Sequence, residues 1–432
     1  MRINRAALRV AMVVAGVLAG ASGGGAAVAA GDPPVSALFS GHVMDFERSS
    51  AKVVGVYVPN WEPVALVDGL SGQNVTHLIY AFLHVCGPGQ LEKDAPRCEG
   101  KGEQQLAESA IDQTFDEAFQ RLKKRASHIK VLASVGGWGG SDPFFHLAND
   151  PAKRARFAAS VADFLRRHPG FDGIDIDWEH PTSNGSANGV PLGAAADGQG
   201  YADLMQTLRK TVDTLSAETG RPYLVTSAIN TTESLVGKIN YRDAAKAMDL
   251  VFMMSYDYFG PWTPQAGHHT ALRSVGDGLD DSLAGGLKTM LAAGVPAAKL
   301  VAGVAMYGRG FTGVVPPSPK PTQFNGSKRD GVFAGADGSV IYRDIAARYL
   351  DKQGQGRSGY QVIYDPKGEA YALWNPSTRF YLGYDDPRAV LRKGRFAVEQ
   401  GLAGVFAWEL SQDNGDLLNA MNLGVGHVPR KP

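Results

Sequence analysis

The segment FDGIDIDWEHP, which spans Phe171–Pro181, alternates acidic and apolar residues. Its part Gly173–Asp177 has the short, apolar-rich character of a parallel strand that is buried on both faces. Because successive side chains of a strand point to opposite faces, Asp175, Asp177 and Glu179 are predicted to share one face. The apolar residues between them then point the other way, towards covering helices. This pattern favours a strand with packed layers on both sides.

Outside this segment, seven other short runs have the composition of strands: Val53–Val58, His77–Phe82, Lys130–Ser134, Leu224–Ala228, Leu250–Ser255, Leu300–Met306 and Gly404–Trp408. Helical patterns lie between them, the clearest at Pro151–Arg167, Tyr201–Glu218, Asp281–Ala293 and Pro387–Gln400. The first of these helices has Asp150 in the N-cap position and Pro151 in the first helical position, both of which favour a helix start.

The alternation of eight strands with helices predicts an α/β fold, a closed (β/α)8 or TIM barrel, in residues 51–310 and 386–432. An open, doubly wound sheet is the alternative. It usually has fewer strands and a glycine-rich turn after the first strand, where this chain has Pro59-Asn60-Trp61. Aromatic and β-branched runs in the long interval before the last strand predict a small α+β insertion, assigned to residues 311–385.

The first thirty residues have the features of a secretory signal peptide. Basic residues precede an apolar run at Val10–Leu18, and a small-residue cleavage pattern begins at Ala27. The apolar run is too short to span a bilayer. We therefore predict a signal peptide at residues 1–30, a lead-in segment at residues 31–50, and a secreted protein, either extracellular or periplasmic. An uncleaved membrane anchor is the alternative.

The chain has two cysteines, Cys86 and Cys98, in a loop-like segment. In an exported protein such a pair indicates one disulfide, and two free buried thiols are the alternative. Lys plus Arg and Asp plus Glu each number 43, a balance that does not indicate a nucleic-acid partner. The pair His268 and His269 has no third ligand nearby in sequence and is assigned to a loop. We predict no cofactor, no metal, no membrane contact and a monomer.

The acids of the central segment are candidates for acid–base chemistry. Burial and mutual repulsion disfavour their charged forms, so they are expected to have raised pKa values and to share protons. A carboxyl that stays protonated near neutral pH can act as a general acid. Active sites of such barrels lie at the carboxyl ends of the strands, where Glu179 is expected. Metal binding and a solvent-exposed acidic strand are the alternatives.

The stretch DGIDIDWE resembles the DxxDxDxE signature of glycoside hydrolase family 18. Other matches to that family are SVGG at Ser134–Gly137, MSYD at Met254–Asp257, MYGRG at Met306–Gly310 and AWE at Ala407–Glu409. The resemblance covers roughly residues 51–424 and is greatest for bacterial chitinases with an α+β insertion. It implies hydrolysis of β-1,4-linked N-acetylglucosamine polymers, so the expected partner is chitin or another N-acetylglucosamine oligosaccharide.

The resemblance also implies roles for four catalytic residues. Glu179 would protonate the glycosidic oxygen and later act as base on water, while the substrate's own acetamido oxygen is the nucleophile. Asp177 would hold the acetamido N–H, and Asp175 would share a proton with Asp177. Tyr256 would donate its hydroxyl to the acetamido oxygen.

Aromatic residues at the carboxyl ends of strands are expected to bind the sugar rings, since aromatic faces suit the apolar faces of pyranoses. Trp408 would form the floor at the cleavage point, and Trp61, Trp138 and Trp262 would be platforms along the groove. The remaining predicted substrate-binding residues are Met254, Asp257, Tyr57, Phe82, Tyr307 and Arg309.

Two other functions share much of this pattern. A chitinase-like lectin keeps the groove without cleavage, but such binders typically lose the acid, and position 179 is Glu here. An endo-β-N-acetylglucosaminidase acting on N-glycan cores shares the acidic signature. The long insertion favours chitin, because it would add a wall to the groove.

Overall fold

The computed structural model describes residues 32–276, 281–318, 321–333 and 337–431. The predicted signal peptide lies outside the described residues. From Pro33 onward the chain forms one compact unit.

Parallel strands form a closed barrel, which confirms the predicted fold. They are β1 Val53–Pro59, β2 His77–Val85, β3 Lys130–Gly136, β4 Gly173–Asp177, β5 Leu224–Ile229, β6 Leu250–Met253, β7 Leu300–Ala305 and β8 Gly404–Trp408. Each pairs with the next, and β8 pairs with β1 to close the barrel. The predicted strand positions are therefore confirmed, although several ends differ.

The end of β6 shows why strand ends were harder to predict. The sequence pattern continued to Ser255, but the strand ends at Met253. Beyond that point the Ser255 hydroxyl takes the place of backbone hydrogen bonds between β6 and β7. It accepts a hydrogen bond from Gly303 N at 3.0 Å and donates one to Gly303 O at 3.2 Å. A side chain thus satisfies the backbone of β7, and the chain of β6 is free to turn into the site.

The helices that cover the barrel include those expected from sequence. The described α-helices are Val35–Leu38, Ala65–Asp68, Ala95–Cys98, Ala110–Arg125, Pro143–Leu147, Pro151–Arg167, Asp197–Thr219, Glu233–Val236, Tyr241–Ala247, Leu283–Ala292, Tyr342–Tyr349, Pro387–Glu399 and Asp416–Gly424. Short 3-10 helices lie at Glu92–Asp94, Ala297–Lys299 and Leu410–Gln412. Asp150 caps its helix as predicted, accepting from Ala152 N at 2.8 Å and Lys153 N at 3.2 Å.

A second sheet of six antiparallel strands lies between β7 and β8. Its strands are Tyr307–Thr312, Gly331–Val332, Ser339–Ile341, Gln361–Asp365, Ala370–Asn375 and Phe380–Tyr384. The first of them follows β7 after a single residue, so the predicted boundary between residues 310 and 311 falls inside a strand. Tyr342 and Leu382 of this insertion are buried in the same apolar cluster as the barrel strands. The division into separate domains therefore remains a prediction.

The main core lies between the outer face of the barrel strands and the helices. Ile174, Ile176 and Trp178 belong to it, as the alternating pattern of β4 predicted. A smaller apolar cluster fills the barrel interior and includes Tyr57 and Phe406. The acids of β4 therefore point to the inside of the barrel, away from the helices.

The lead-in segment is fixed to the last helix. The Asn419 side chain donates to His42 O and accepts from Met44 N, at 2.8 and 2.9 Å. Phe46–Glu47 pairs with Val428–Pro429 as a small antiparallel ribbon. The other short strands are Leu106–Ala107, Gln265–Ala266 and Ser327–Lys328.

Cys86 and Cys98 form a disulfide, as predicted. The bridge closes the connection that follows β2. Within the described residues, no helix combines the length and apolar character needed to cross a bilayer.

Candidate active site

A groove of about 1010 Å³ opens at the carboxyl ends of the barrel strands. Except for Asp175, the predicted catalytic and substrate-binding residues all line it: Tyr57, Trp61, Phe82, Trp138, Asp177, Glu179, Met254, Tyr256, Asp257, Trp262, Tyr307, Arg309 and Trp408. Asp175 lies beneath the groove and is fully buried. Side chains from strands β1, β2, β4 and β8, from the segments that follow β1, β3, β4 and β6, and from the insertion thus meet in one concave site.

Asp175 is surrounded by hydroxyl groups. It accepts hydrogen bonds from Tyr57 Oη at 3.0 Å, Ser134 Oγ at 2.7 Å and Thr226 Oγ1 at 2.6 Å. Burial raises the pKa of Asp175, and the three hydroxyl donors oppose that rise. These donors stabilise the carboxylate form. In the row Asp175, Asp177 and Glu179, a negative charge is therefore most favourable on Asp175.

Asp177 has the opposite surroundings. It is 3% exposed, and its Oδ1 has no hydrogen-bond partner among the described residues. Burial raises the pKa of Asp177 well above its usual value, and the charges of Glu179 and Asp175 raise it further. A proton shared within the row Asp175, Asp177 and Glu179 is therefore more favourable on Asp177 than on Asp175, and the three carboxyls titrate together.

Glu179 lies at the groove end of the row with 16% of its side chain exposed. Burial, with a smaller contribution from the charge of Asp257, raises the pKa of Glu179 to about 7. A basic side chain, His180, lies beside it, with Nε2 at 3.9 Å from Glu179 Oε2. Burial lowers the pKa of His180 to about 4, so this imidazole is neutral near pH 7 and does not compensate the carboxylate. Glu179 can therefore carry a proton near neutral pH and still reach a ligand in the groove.

Asp257 lies on the other side of the groove in a clamp of donors. Arg309 Nε and Nη2 donate to its two oxygens at 2.9 and 2.8 Å, and His269 Nδ1 lies 3.5 Å away. Burial alone would raise the pKa of Asp257, but the contacts with His269 and Arg309 outweigh it and hold the pKa well below its usual value. Asp257 is consequently an anion that is paired with a cation.

Tyr256 follows β6 and brings its hydroxyl to the groove. Its ring lies 6.2 Å from that of Tyr307 and 6.3 Å from that of Phe406. Burial raises its pKa well above the usual value, and Asp177 is the next largest cause. Tyr256 is therefore a neutral phenol, close to the acids, that can donate a hydrogen bond.

Aromatic rings form the floor and the rims of the groove. Trp408 stacks on Phe82 with a centroid distance of 5.6 Å and an interplanar angle of 18°. Trp61, Trp138 and Trp262 are 61%, 62% and 57% exposed, so each has aromatic surface open to a ligand, although the Arg309 guanidinium lies over the Trp262 ring at 5.1 Å from its centroid. Solvent-exposed indoles are uncommon unless they serve binding, because their apolar area favours burial.

Several groove residues were not predicted from the sequence. Leu91, Lys93 and Arg97 line the groove from the disulfide-closed connection after β2, and Asp337 and Ser339 line it from the insertion. These residues lie far from the family motifs along the chain, so no local pattern marked them.

The pair His268 and His269 lies outside helices and strands, as predicted, yet both side chains are buried. His268 pairs with Asp365 of the insertion at 3.2 Å, and His269 contacts Asp257. This loop therefore links the inserted sheet to the site, a connection that only the folded chain reveals.

Comparison with known proteins places this geometry in a family. A sequence profile described as "Glycosyl hydrolases family 18" matches residues 53–413. Chitinase A of Pseudoalteromonas piscicida is 35% identical, over 87% of this chain and 52% of that protein. This chain thus spans about half the length of that relative. The chitinase of Autographa californica nuclear polyhedrosis virus is 32% identical, over 87% of this chain and 72% of the viral protein.

Solved structures give the same result. A chitinase from Bacillus thuringiensis has a TM-score of 0.73 and 25% identity, with 88% of this chain and 71% of that chain covered. An N-acetylglucosaminidase of glycoside hydrolase family 18 from Paenibacillus barengoltzii has a TM-score of 0.71 and 25% identity, covering 86% of this chain and 99% of that chain. On the evidence of the profile match and of these relatives, this protein belongs to the glycosyl hydrolases of family 18.

Proposed function

We propose that this protein hydrolyses β-1,4 bonds in chitin and chito-oligosaccharides, with retention of configuration, and that Glu179 is its acid and base. The single observation that carries the proposal is a half-buried Glu179 whose pKa is raised to about 7, at the open end of an acidic row in a groove with exposed tryptophans. The relatives named as chitinases support chitin as the substrate.

In the first step, Glu179 gives its proton to the glycosidic oxygen while the acetamido oxygen of the bound sugar attacks C1. The C1–O bond to the leaving group breaks, and a cyclic oxazolinium ion forms. Water then attacks C1, the bond between C1 and the acetamido oxygen breaks to restore the acetamide, and Glu179, now ionised, takes a proton from that water. Two inversions at C1 give net retention.

The surroundings of Asp177 argue against a protein nucleophile. Burial and the neighbouring charges of Glu179 and Asp175 disfavour its anion, so it is a poor nucleophile in the free enzyme. When the shared proton moves from Asp177 to Asp175, the Asp177 carboxylate can accept the acetamido N–H and stabilise the positive charge that develops. The Tyr256 hydroxyl donates to the acetamido oxygen.

The groove explains how a polymer would be held. Trp408 and Phe82 would form the floor under the cleaved sugar, and Met254 and Tyr57 line the same cavity. Trp61, Trp138 and Trp262 would stack on successive sugars. Asp257, Tyr307 and Arg309 would present polar groups to the sugar hydroxyls or the acetamide.

Substrate comparison tests this mechanism. Chito-oligosaccharides should be cleaved, whereas β-1,4-glucan oligomers should not, because they have the same linkage but lack the acetamido nucleophile. A cyclic thiazoline analogue of N-acetylglucosamine should inhibit, since it resembles the bicyclic intermediate. Efficient cleavage of unsubstituted β-glucan, or a glycosyl adduct on Asp175 or Asp177 after treatment with a fluorinated glycoside, would refute the substrate-assisted mechanism.

Secretion is part of the proposal. The amino-terminal pattern of residues 1–30 supports export, and the Cys86–Cys98 disulfide suits an oxidising compartment. Mass spectrometry of the mature protein from a culture supernatant would show a chain that begins near residue 30.

A further inference from the structure

The two ends of the groove differ in charge. Strands β2 and β6 lie on opposite sides of the closed barrel, four strands apart. On the β6 side, the Arg309 guanidinium is neutralised by Asp257 at 2.8 Å and by Asp337 at 3.3 Å. On the β2 side, Lys93 and Arg97 line the groove from the disulfide-closed connection.

Lys93 and Arg97 share a face of this connection. Glu92–Asp94 is a 3-10 turn that continues directly into the helical turn Ala95–Cys98. Residues four apart in such turns lie on the same side, which explains why both cations line the groove. Glu92, one position away from Lys93, is exposed and does not line it.

Asp94 of this connection pairs with Arg97 but forms no ion pair with Lys93. Asp94 is fully buried, and its Oδ2 lies 2.7 Å from His84 Nδ1, whereas Arg97 Nη1 lies 3.6 Å from Asp94 Oδ1. Lys93 is exposed and has no ion pair within the described part of the chain. Asp94 therefore pairs closely with His84 and at longer distance with Arg97, whereas Lys93 lines the groove and interacts with Asp94 only at longer range.

The connection is also held in one position. The Cys86–Cys98 disulfide closes it, and Gln90 Oε1 accepts from Gly87 N at 2.7 Å. Backbone bonds join Cys86 N to Gln105 O and Gln104 N to Cys86 O, both at 2.8 Å. The two cations are thus presented by a fixed support, and their charge acts at a defined end of the groove.

We propose that Lys93, assisted by Arg97, forms a cationic subsite that selects neutral N-acetylated sugars and rejects N-deacetylated ones at the β2 end of the groove. The inference rests on the proposed function, since it concerns which chitin-derived chains occupy this groove. A glucosamine unit carries a protonated amine near neutral pH, and like charges repel, with a modest effect at a solvent-exposed cation such as Lys93. An acetylated unit carries no charge and avoids this penalty.

Binding measurements on Glu179→Gln protein test the subsite without requiring turnover. The ligands are chito-oligosaccharides that carry a single glucosamine unit at each position in turn, compared with the fully acetylated chain. The parent protein should bind a chain with glucosamine at one terminal position more weakly than the fully acetylated chain. The Lys93→Gln change should reduce this loss of affinity by about two- to fivefold, the range for one charge pair near a surface. Lys93→Glu should reduce it further, and higher salt should reduce it in the parent protein.

Lys101→Gln is the matched control, because Lys101 follows the same connection, pairs with Glu108 at 3.5 Å and does not line the groove. It should leave the discrimination unchanged. If Lys93→Glu leaves the affinity ratio of every singly deacetylated ligand unchanged while the acetylated chain still binds, the cationic subsite is wrong. If the fully acetylated chain neither binds nor is cleaved by the parent enzyme, the proposed function itself fails, which is a separate outcome.

Discussion

The acids on β4 and the acids beside the inserted sheet have different partners. Asp175 contacts three hydroxyls, and Asp177 and Glu179 have no Lys or Arg ion pair among the described residues. Beside the insertion, Asp257 is clamped by Arg309, and Asp385 pairs with Lys393 at 2.8 Å in a contact that is buried on both sides.

The difference separates two uses of a carboxyl group. A buried acid next to a cation keeps its charge and fixes structure, because the pair compensates the loss of water. A buried acid without a cation has a raised pKa and holds a proton, which makes it available for transfer. Asp257 and Asp385 are of the first kind and join the insertion to the barrel, whereas Asp177 and Glu179 are of the second kind and line the groove.

The largest effect should come from removing the proton donor of the β4 row. Glu179→Gln is nearly isosteric and cannot donate a proton, so kcat on a chito-oligosaccharide should fall by about 10²–10⁴-fold or more. The thermal unfolding midpoint should be close to that of the parent, and oligomers should still bind. A variant with unchanged kcat would show that another group is the acid. The contrast between proton-donating acids in the groove and cation-paired acids beside the insertion would then fail.

Breaking the buried Asp385–Lys393 pair beside the insertion should lower the stability of the protein. Lys393→Met leaves Asp385 without its cation, and the free energy of unfolding should fall by about 3–5 kcal/mol, the usual penalty for an uncompensated buried charge. Denaturant titration measures it. The double variant Lys393→Met with Asp385→Asn should recover part of the loss, because no charge remains buried. Lys246→Ala, which breaks an exposed pair with Asp243, is the control and should cost about 0–1 kcal/mol.

The smallest expected effect is a shift of the pH profile, which tests whether the charge of Asp257 acts on Glu179. Since the proposed mechanism requires a protonated Glu179, kcat/KM should fall as the pH rises through its pKa of about 7. The charge of Asp257 helps to raise that pKa. Asp257→Asn should therefore lower the pKa and move the alkaline limb of the pH profile to lower pH, whatever activity remains. An unmoved limb would show that the two regions are electrostatically independent.

Much of the fold followed from local patterns. The period-two alternation of β4 placed Ile176 in the core and Asp177 on the barrel interior, and the structure agrees. The predicted helix start at Asp150 was also confirmed, because an N-cap hydrogen bond joins atoms only a few residues apart. Strand ends were less certain: β6 stops early because Ser255 bonds to β7, a partner that is distant in sequence.

The candidate site divides in the same way. Glu179 and the exposed tryptophans Trp61 and Trp138 could be named from motifs and strand ends. Thr226, which completes the hydroxyl shell of Asp175, comes from the neighbouring strand and had no motif to mark it. Lys93 was missed because its position depends on how the disulfide-closed connection folds over β2.

The sequence by itself determined the residue types, their alternation along each strand and therefore which side chains face the barrel interior, because strand and helix periods are properties of the local backbone. Only the tertiary structure decided the charge state of each acid. Asp257 and Asp177 are the same residue type, yet Arg309 lies beside one, and buried carboxyls surround the other. Desolvation and Coulomb interactions depend on distances through space, and barrel closure sets those distances between strands that are far apart in the chain.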